Sequence, residues 1–201
     1  MPNTLPLQTI INGSMTPYLF GFIGWQLMWH IQLQLAALDY ALGISLIFLP
    51  AGIRTLAVLI FGIRGAIGVF FGAIFSTIDY LGHVPTMAMA HMILIAAISA
   101  FSAYLMMQLI CWWQKIGPDL DELTFKDVLM IVFTQGLLSS TLHQIIYIQH
   151  PIDIAYHQPS VTEAFRLWAA MAVGDITGSM ILMLGAIALI NAVRRWKRLI
   201  F

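Results

Sequence analysis

The chain has 201 residues, of which 60% are hydrophobic and 9% are charged, and its formal net charge is zero. Soluble domains carry about 25% charged residues, so this composition and a mean hydropathy of +0.88 exclude an ordinary soluble domain. The nine Lys and Arg residues give no indication of nucleic-acid binding, because four of them crowd the last eight positions.

The apolar residues come in runs of roughly 20, the length that an α-helix needs to cross about 30 Å of hydrocarbon. They do not alternate with a period of two residues, so the pattern favours helices over a β-barrel. We therefore predict an all-α fold: one integral membrane domain over residues 1–201, built as a polytopic bundle of about six transmembrane helices. The predicted helices lie at about 17–38, 41–61, 64–81, 86–113, 125–148 and 162–193.

The second predicted helix carries residues that oppose a continuous span. Pro50 lacks a backbone N–H, and Gly52 is a weak helix former, so together they would kink or break the helix. Irregular backbone at membrane depth is tolerated only where protein covers it or it lines a cavity. The segment is therefore predicted to be either a kinked helix or two short pieces that meet inside the protein.

The distribution of basic residues predicts the orientation. With a cytoplasmic N-terminus, the outer side receives only Arg166, while Arg54 falls within the second helix. Because positively charged connections tend to stay in the cytoplasm, we expect an even number of crossings with both termini cytoplasmic. The inner side receives Arg64, Lys115, Lys126, Arg194, Arg195, Lys197 and Arg198.

Two ionisable residues lie within predicted spans, Arg54 and Asp175. A charge in a spanning segment costs several kcal/mol unless it is paired or hydrated, so each is a candidate functional residue. One hypothesis is that they line a ligand-binding cavity together with Pro50, Gly52 and Gly174, beside the broken backbone. The alternative is a buried ion pair whose charges neutralise each other and fix the register of two helices.

The glycines and tryptophans have patterns that are typical of membrane helices. Gly68 and Gly72 have GxxxG spacing, as do Gly174 and Gly178, which predicts close helix packing at both places. The six tryptophans lie mostly near predicted helix ends, where an interfacial aromatic belt would account for them.

Five of the six histidines fall near the predicted outer face, and His91 lies one to two turns further in. Imidazole and carboxylate groups together could bind zinc or copper, or form a proton-responsive cluster. Haem ligation by two facing histidines is a further alternative, and loop histidines also occur without a metal. No HxxxH or HExxH pair is present, so no cofactor can be named. The candidate metal ligands are His83, His143, His150 and His157.

Four short segments resemble the MASE1 family of bacterial integral membrane sensory domains. They are 49–53 (LPAGI), 61–62 (FG), 68–73 (GVFFGA) and 174–178 (GDITG), in the order and spacing typical of that family. Together they cover only part of the chain.

The resemblance implies a sensory domain in a bacterial inner membrane. Members of the family usually have about eight helices and are joined to a histidine kinase or a cyclic-di-GMP enzyme. This chain departs from them with about six predicted helices and no visible output domain, so a signal would have to pass to a separate protein. The resemblance places Pro50, Gly52, Arg54, Gly174 and Asp175 around the sensory core.

Three functional hypotheses follow, and none involves an enzyme, because no catalytic residues are recognisable. The first is an inner-membrane sensory or small-ligand-binding module. The second is a small-solute transporter, or the substrate-binding membrane subunit of an energy-coupling-factor-type importer. The third is a structural subunit of a membrane complex. The expected partners are the lipid bilayer and a separate signalling or transport protein, and glycine-lined helix faces would permit a homo-oligomer.

Overall fold

The computed structural model describes residues 14–85, 87–117, 120, 122–152 and 159–200. Over these residues the chain is almost entirely helical, which confirms the all-α prediction. A single 3₁₀ turn, Ala36–Leu38, and a two-stranded hairpin, β1 (Asp39–Ala41) and β2 (Ile44–Ser45), are the exceptions among the described elements. The helices are α1 (Thr16–Leu33), α2 (Leu49–Phe61), α3 (Ile63–Leu81), α4 (Met89–Gln114), α5 (Phe125–Gln149) and α6 (Val161–Ile200).

Four helices in the described part of the chain are long and apolar enough to cross a membrane: α3, α4, α5 and α6 over Val161–Leu189. The chain is accordingly a multi-pass membrane protein by length and composition. Helix α2 is apolar but has only 13 residues, or about 20 Å, which is short of the roughly 30 Å of a hydrocarbon core. Helix α1 has 18 residues and carries Gln26, His30 and Gln32 in its second half.

The predicted start of the second helix, residues 41–48, is wrong, because these residues are not helical. Residues 39–45 form the antiparallel hairpin, which turns at Gly43 with a φ of +77° that a side chain would disfavour. Bends at Leu46 and Ile47 then lead to the extended residue Phe48 (φ −109°, ψ 90°), and the helix begins at Leu49. The hairpin therefore occupies the chain that was expected to be the start of a span.

Pro50 is the second residue of α2 and does not kink it. It lies in the first helical turn, where a missing N–H costs nothing because that group has no intrahelical acceptor. The polar backbone at the break is satisfied by neighbouring elements: the Phe48 N–H donates to the Gly174 carbonyl (3.0 Å) and the Leu49 N–H to Gln32 Oε1 (3.0 Å). The break is thus stabilised by hydrogen bonds from α1 and α6.

Two other predicted boundaries also differ from the structure. Helix α1 ends at Leu33, five residues before the predicted end, where the 3₁₀ turn begins to lead into the hairpin. Helix α6 continues to Ile200, past the predicted end at 193. The remaining helices lie close to their predicted positions.

Helix α2 lies at the centre of the bundle. It packs against α1, α3, α4 and α6, while α5 packs between α4 and α6. Ala51, Thr55, Ala57 and Val58 are consequently 0% exposed. A polar side chain in this buried stretch of the helix has no route to water except through a cavity.

The two predicted glycine pairs allow a helix to approach a neighbouring segment of the chain closely, each at a different place. A side chain at Gly68 would collide with the Tyr18 carbonyl, and one at Gly72 would press on the Trp25 side chain, so both lie at the contact between α1 and α3. A side chain at Gly178 would collide with the Phe48 carbonyl at the start of α2.

Gly174 lies one turn earlier on α6, against the extended chain before α2. A side chain at this position would collide with the Ser45 carbonyl. The second GxxxG pair thus lets α6 approach the hairpin and the α2 N-terminus, and not only another helix.

Candidate functional site

The structure brings Arg54 of α2 and Asp175 of α6 together. Arg54 Nη2 donates to Asp175 Oδ2 at 2.9 Å. Nη1 donates to the Ser99 carbonyl at 3.1 Å and to Ser139 Oγ at 3.2 Å. The arginine is 1% exposed and the aspartate 3% exposed, so each charge depends on the other for its compensation.

His143 extends this network along α5. Its Nδ1 lies 2.8 Å from the Ser139 carbonyl, and its Nε2 lies 3.2 Å from Ser99 Oγ. Because a carbonyl only accepts hydrogen bonds, Nδ1 carries the proton, and in a neutral ring Nε2 then accepts from the Ser99 hydroxyl. The imidazole thereby holds the two serines that also contact Arg54.

A second polar layer lies one helical turn deeper in the bundle, on the side of the ion pair away from the hairpin. It comes one turn before Ser139 on α5 and one turn after Asp175 on α6. Gln135 Nε2 donates to Ser179 Oγ at 3.1 Å and also contacts Thr55 Oγ1. Thr55 Oγ1 lies 3.3 Å from Ser179 Oγ. All three side chains are 0% exposed, so this layer closes the bundle beneath the ion pair.

A cavity of about 260 Å³ opens above the ion pair. Arg54, Asp175, Ser99, Ser139 and His143 all line it, and we call them its polar floor. The other lining residues come from the second half of α1, the hairpin, Phe48 before α2, the end of α3, the start of α4, the end of α5 and Met171 of α6. The cavity therefore lies at the hairpin end of the bundle, which is the predicted outer end.

Aromatic side chains form much of the wall. The Trp25 Nε1–H donates to Ser76 Oγ at 2.8 Å, which satisfies its polar atom and leaves an apolar ring. The Trp29 and Tyr80 rings meet edge to face, with centroids 5.3 Å apart. The aromatic residues that line the cavity are Trp25, Trp29, Phe48, Tyr80 and Tyr147.

Asp39 is the one other carboxylate among the described lining residues, and it comes from β1. It pairs with Ser45 in the hairpin register. Partial burial raises the pKa of Asp39 above its ordinary value, and a hydrogen bond from the Ser45 side chain opposes that shift. The side chain is still exposed, so it lies at the mouth of the cavity.

The other predicted core residues hold the walls in place and do not line the cavity. Pro50 lies in the first turn of α2 and is fully buried. A side chain at Gly52 would press on Leu182 of α6, so this glycine permits the contact between α2 and α6. Gly174 lies against the Ser45 carbonyl. Their effect on a ligand would be through the position of Arg54.

The predicted metal ligands do not converge among the residues that the structure describes, where no group of three or more His, Cys, Asp or Glu side chains could hold a metal. His143 belongs to the polar floor, and His83 is exposed after α3. The His150 ring stacks on His91, with centroids 3.7 Å apart. His157 lies outside the described residues.

Sequence reasoning missed the aromatic wall. Trp25 was assigned to an interfacial belt, but it is 2% exposed and lies inside the bundle. The spacing of Trp25, Trp29 and Gln32 is a usable signal, because residues three and four apart share one face of a helix. Trp112 and Trp113 are 77% and 66% exposed, which fits the belt assignment.

Comparison with known proteins adds no relative. No family model, no curated protein and no solved structure matches this chain. The cavity and the helices that form it are therefore the basis for the functional interpretation.

Proposed function

We propose that this chain is a sensory or small-ligand-binding module of the bacterial cytoplasmic membrane. The observation that carries the proposal is the cavity of about 260 Å³ above the buried pair of Arg54 and Asp175. Small-molecule sites are typically concave and apolar, with a few fixed polar groups that orient the ligand. Aromatic walls over a hydrogen-bonded floor have this character.

The proposed topology has six crossings and cytoplasmic termini. Helices α3 to α6 would each cross once, and α1 would cross beside α3. The sixth crossing would combine α2 with residues 46–48 before it, because the backbone N–H groups of Phe48 and Leu49 are hydrogen-bonded to α6 and α1. Arg64, Lys115 and Lys126 lie at the end of the bundle opposite the cavity, which supports a cytoplasmic position for that end.

Sensing is supported by the way the cavity is built. A bound ligand would contact every helix of the bundle, because each contributes at least one lining residue. It would favour whichever helix arrangement it fits best. The segments 49–53 and 174–178, which carry the resemblance to the MASE1 family, pack against each other beneath this site through Gly52 and Gly178.

Helix α6 is the proposed route for the signal. It carries Asp175 of the polar floor and has 40 residues, or about 60 Å, roughly twice the hydrocarbon thickness. A shift of α6 at the cavity would therefore reach the cytoplasmic surface. There a separate signalling protein would receive it.

Transport is the second hypothesis, and the interrupted α2 favours it, because discontinuous helices commonly form substrate sites in transporters. The fully buried layer of Thr55, Gln135 and Ser179 opposes it, since this layer closes the path beyond the cavity. Uptake of a bound ligand into proteoliposomes would establish transport. Binding without uptake would leave the sensory function.

The test of ligand binding is native mass spectrometry of the protein extracted gently from its own membrane. Leu33→Trp adds bulk at the mouth of the cavity, where Leu33 is 42% exposed, whereas Leu27→Trp makes the same change at a 55% exposed site of α1 outside it. We expect a small molecule to remain bound to the wild type and to Leu27→Trp, and to be lost from Leu33→Trp. A ligand-free chain that always travels with one larger assembly would overturn the proposal in favour of a structural subunit.

A further inference from the structure

The charges around the cavity are unequal. Arg54 is the one Lys or Arg residue among its described lining residues, and it already forms a salt bridge with Asp175. Asp39 is left without an opposite charge among the lining residues. With His143 neutral, the site carries a formal charge of about −1.

This arrangement disfavours an anion. An anionic ligand would have to displace Asp175 from Arg54 or share the guanidinium with it, and it would then face two carboxylates. Like charges at short range in a partly desolvated site repel strongly. A cation meets no such obstacle, because it can lie beside Asp39 while the buried pair stays intact.

The wall is also suited to a cation. Five aromatic rings line the cavity, and the faces of Trp, Tyr and Phe rings carry negative electrostatic potential. The floor carries the guanidinium, which is already paired with Asp175, so a cation would lie nearer the mouth, where Asp39 lines the cavity. Apolar substituents on the cation would contact the same rings.

We infer that the ligand of this cavity is a small organic cation with apolar substituents, such as a quaternary or alkylated ammonium. This inference rests on the proposed ligand-binding function and specifies its ligand class. The aromatic wall binds the substituents, and the Asp39 carboxylate supplies the opposite charge.

The experiment compares choline with 3,3-dimethylbutan-1-ol, which has the same shape but a carbon atom in place of the nitrogen. Binding is measured by isothermal titration calorimetry to the protein in lipid nanodiscs, with empty nanodiscs as the blank for partition into lipid. We expect choline to bind at least about fivefold more tightly than the neutral isostere.

Two variants with matched controls locate the effect. Asp39→Asn should weaken choline binding by about fivefold and leave the isostere unchanged. Asp79→Asn, an exposed carboxylate on α3 outside the lining, should change neither. Trp29→Leu should weaken choline binding. Trp113→Leu should not, because Trp113 lies at the end of α4 that is far from the cavity.

The outcomes separate this inference from the proposed function. Equal binding of the two compounds, or tighter binding of the isostere, would overturn the cation inference while the cavity still binds a ligand. Absence of binding by both would overturn it as well, and native mass spectrometry would then judge ligand binding independently. Preference for choline that disappears in Asp39→Asn would establish it.

Discussion

Removal of either partner of the buried ion pair should destabilise the protein strongly, because it leaves the other charge buried and uncompensated. In Asp175→Asn the amide oxygen can still accept from Arg54 Nη2, which lies 2.9 Å from the present Oδ2, so the geometry survives. The guanidinium charge, 1% exposed, would lose its compensation. Breaking a buried pair in this way costs about 3–5 kcal/mol.

A double-mutant cycle isolates this interaction. Arg54→Gln should cost a similar amount, because it leaves Asp175 buried without a counter-charge. The double variant should lose about 2 kcal/mol less stability than the sum of the two single losses. The free energy of unfolding is measured in mixed detergent micelles, with the exposed Arg166→Gln as a control expected to change stability by less than about 1 kcal/mol. Additive losses in the double variant would refute the pairing.

Further predictions concern the packing glycine, the hairpin carboxylate and the aromatic wall. Gly174→Ala should lower the thermal midpoint strongly because its Cβ would collide with the Ser45 carbonyl, whereas Gly185→Ala, with open space around it, should be neutral or stabilising by up to about 1 kcal/mol. Since the folded pKa of Asp39 is raised, its protonated form favours folding, so stability should fall as pH rises through the ordinary carboxyl range to that raised pKa. Asp39→Asn should remove this part of the pH dependence. If stability varied with pH in the variant as it does in the wild type, this prediction would be wrong. Trp25→Phe should lose the hydrogen bond to Ser76 and cost about 1–3 kcal/mol, which unfolding in detergent measures.

The sequence by itself determined the class of the protein and one contact inside it. A chain with 60% hydrophobic and 9% charged residues cannot be kept in water, and runs of roughly 20 apolar residues specify helices that cross a bilayer. The two ionisable groups within these runs, Arg54 and Asp175, have opposite charge. Because an isolated charge in lipid is so costly, their pairing could be expected without coordinates.

The break before α2 could be located in part. Pro50 and Gly52 marked the irregular segment, but the same residues are compatible with a kinked helix, and the hairpin of residues 39–45 has no strong pattern of its own. The structure depends there on tertiary hydrogen bonds, from the Phe48 N–H to the Gly174 carbonyl and from the Leu49 N–H to Gln32. Such long-range partners are not encoded in local propensity.

Only the tertiary structure decided which residues surround the cavity. In a soluble helix the apolar face identifies the core, but lipid is as apolar as the interior of a membrane bundle, so hydrophobicity does not distinguish the two faces. Trp25 in the wall and exposed Trp112 near the other end of α4 are equivalent by composition, yet they are 2% and 77% exposed. His143 joins the polar floor and His83 does not, because helix packing, and not residue type, places one of them beside Ser99 and Ser139.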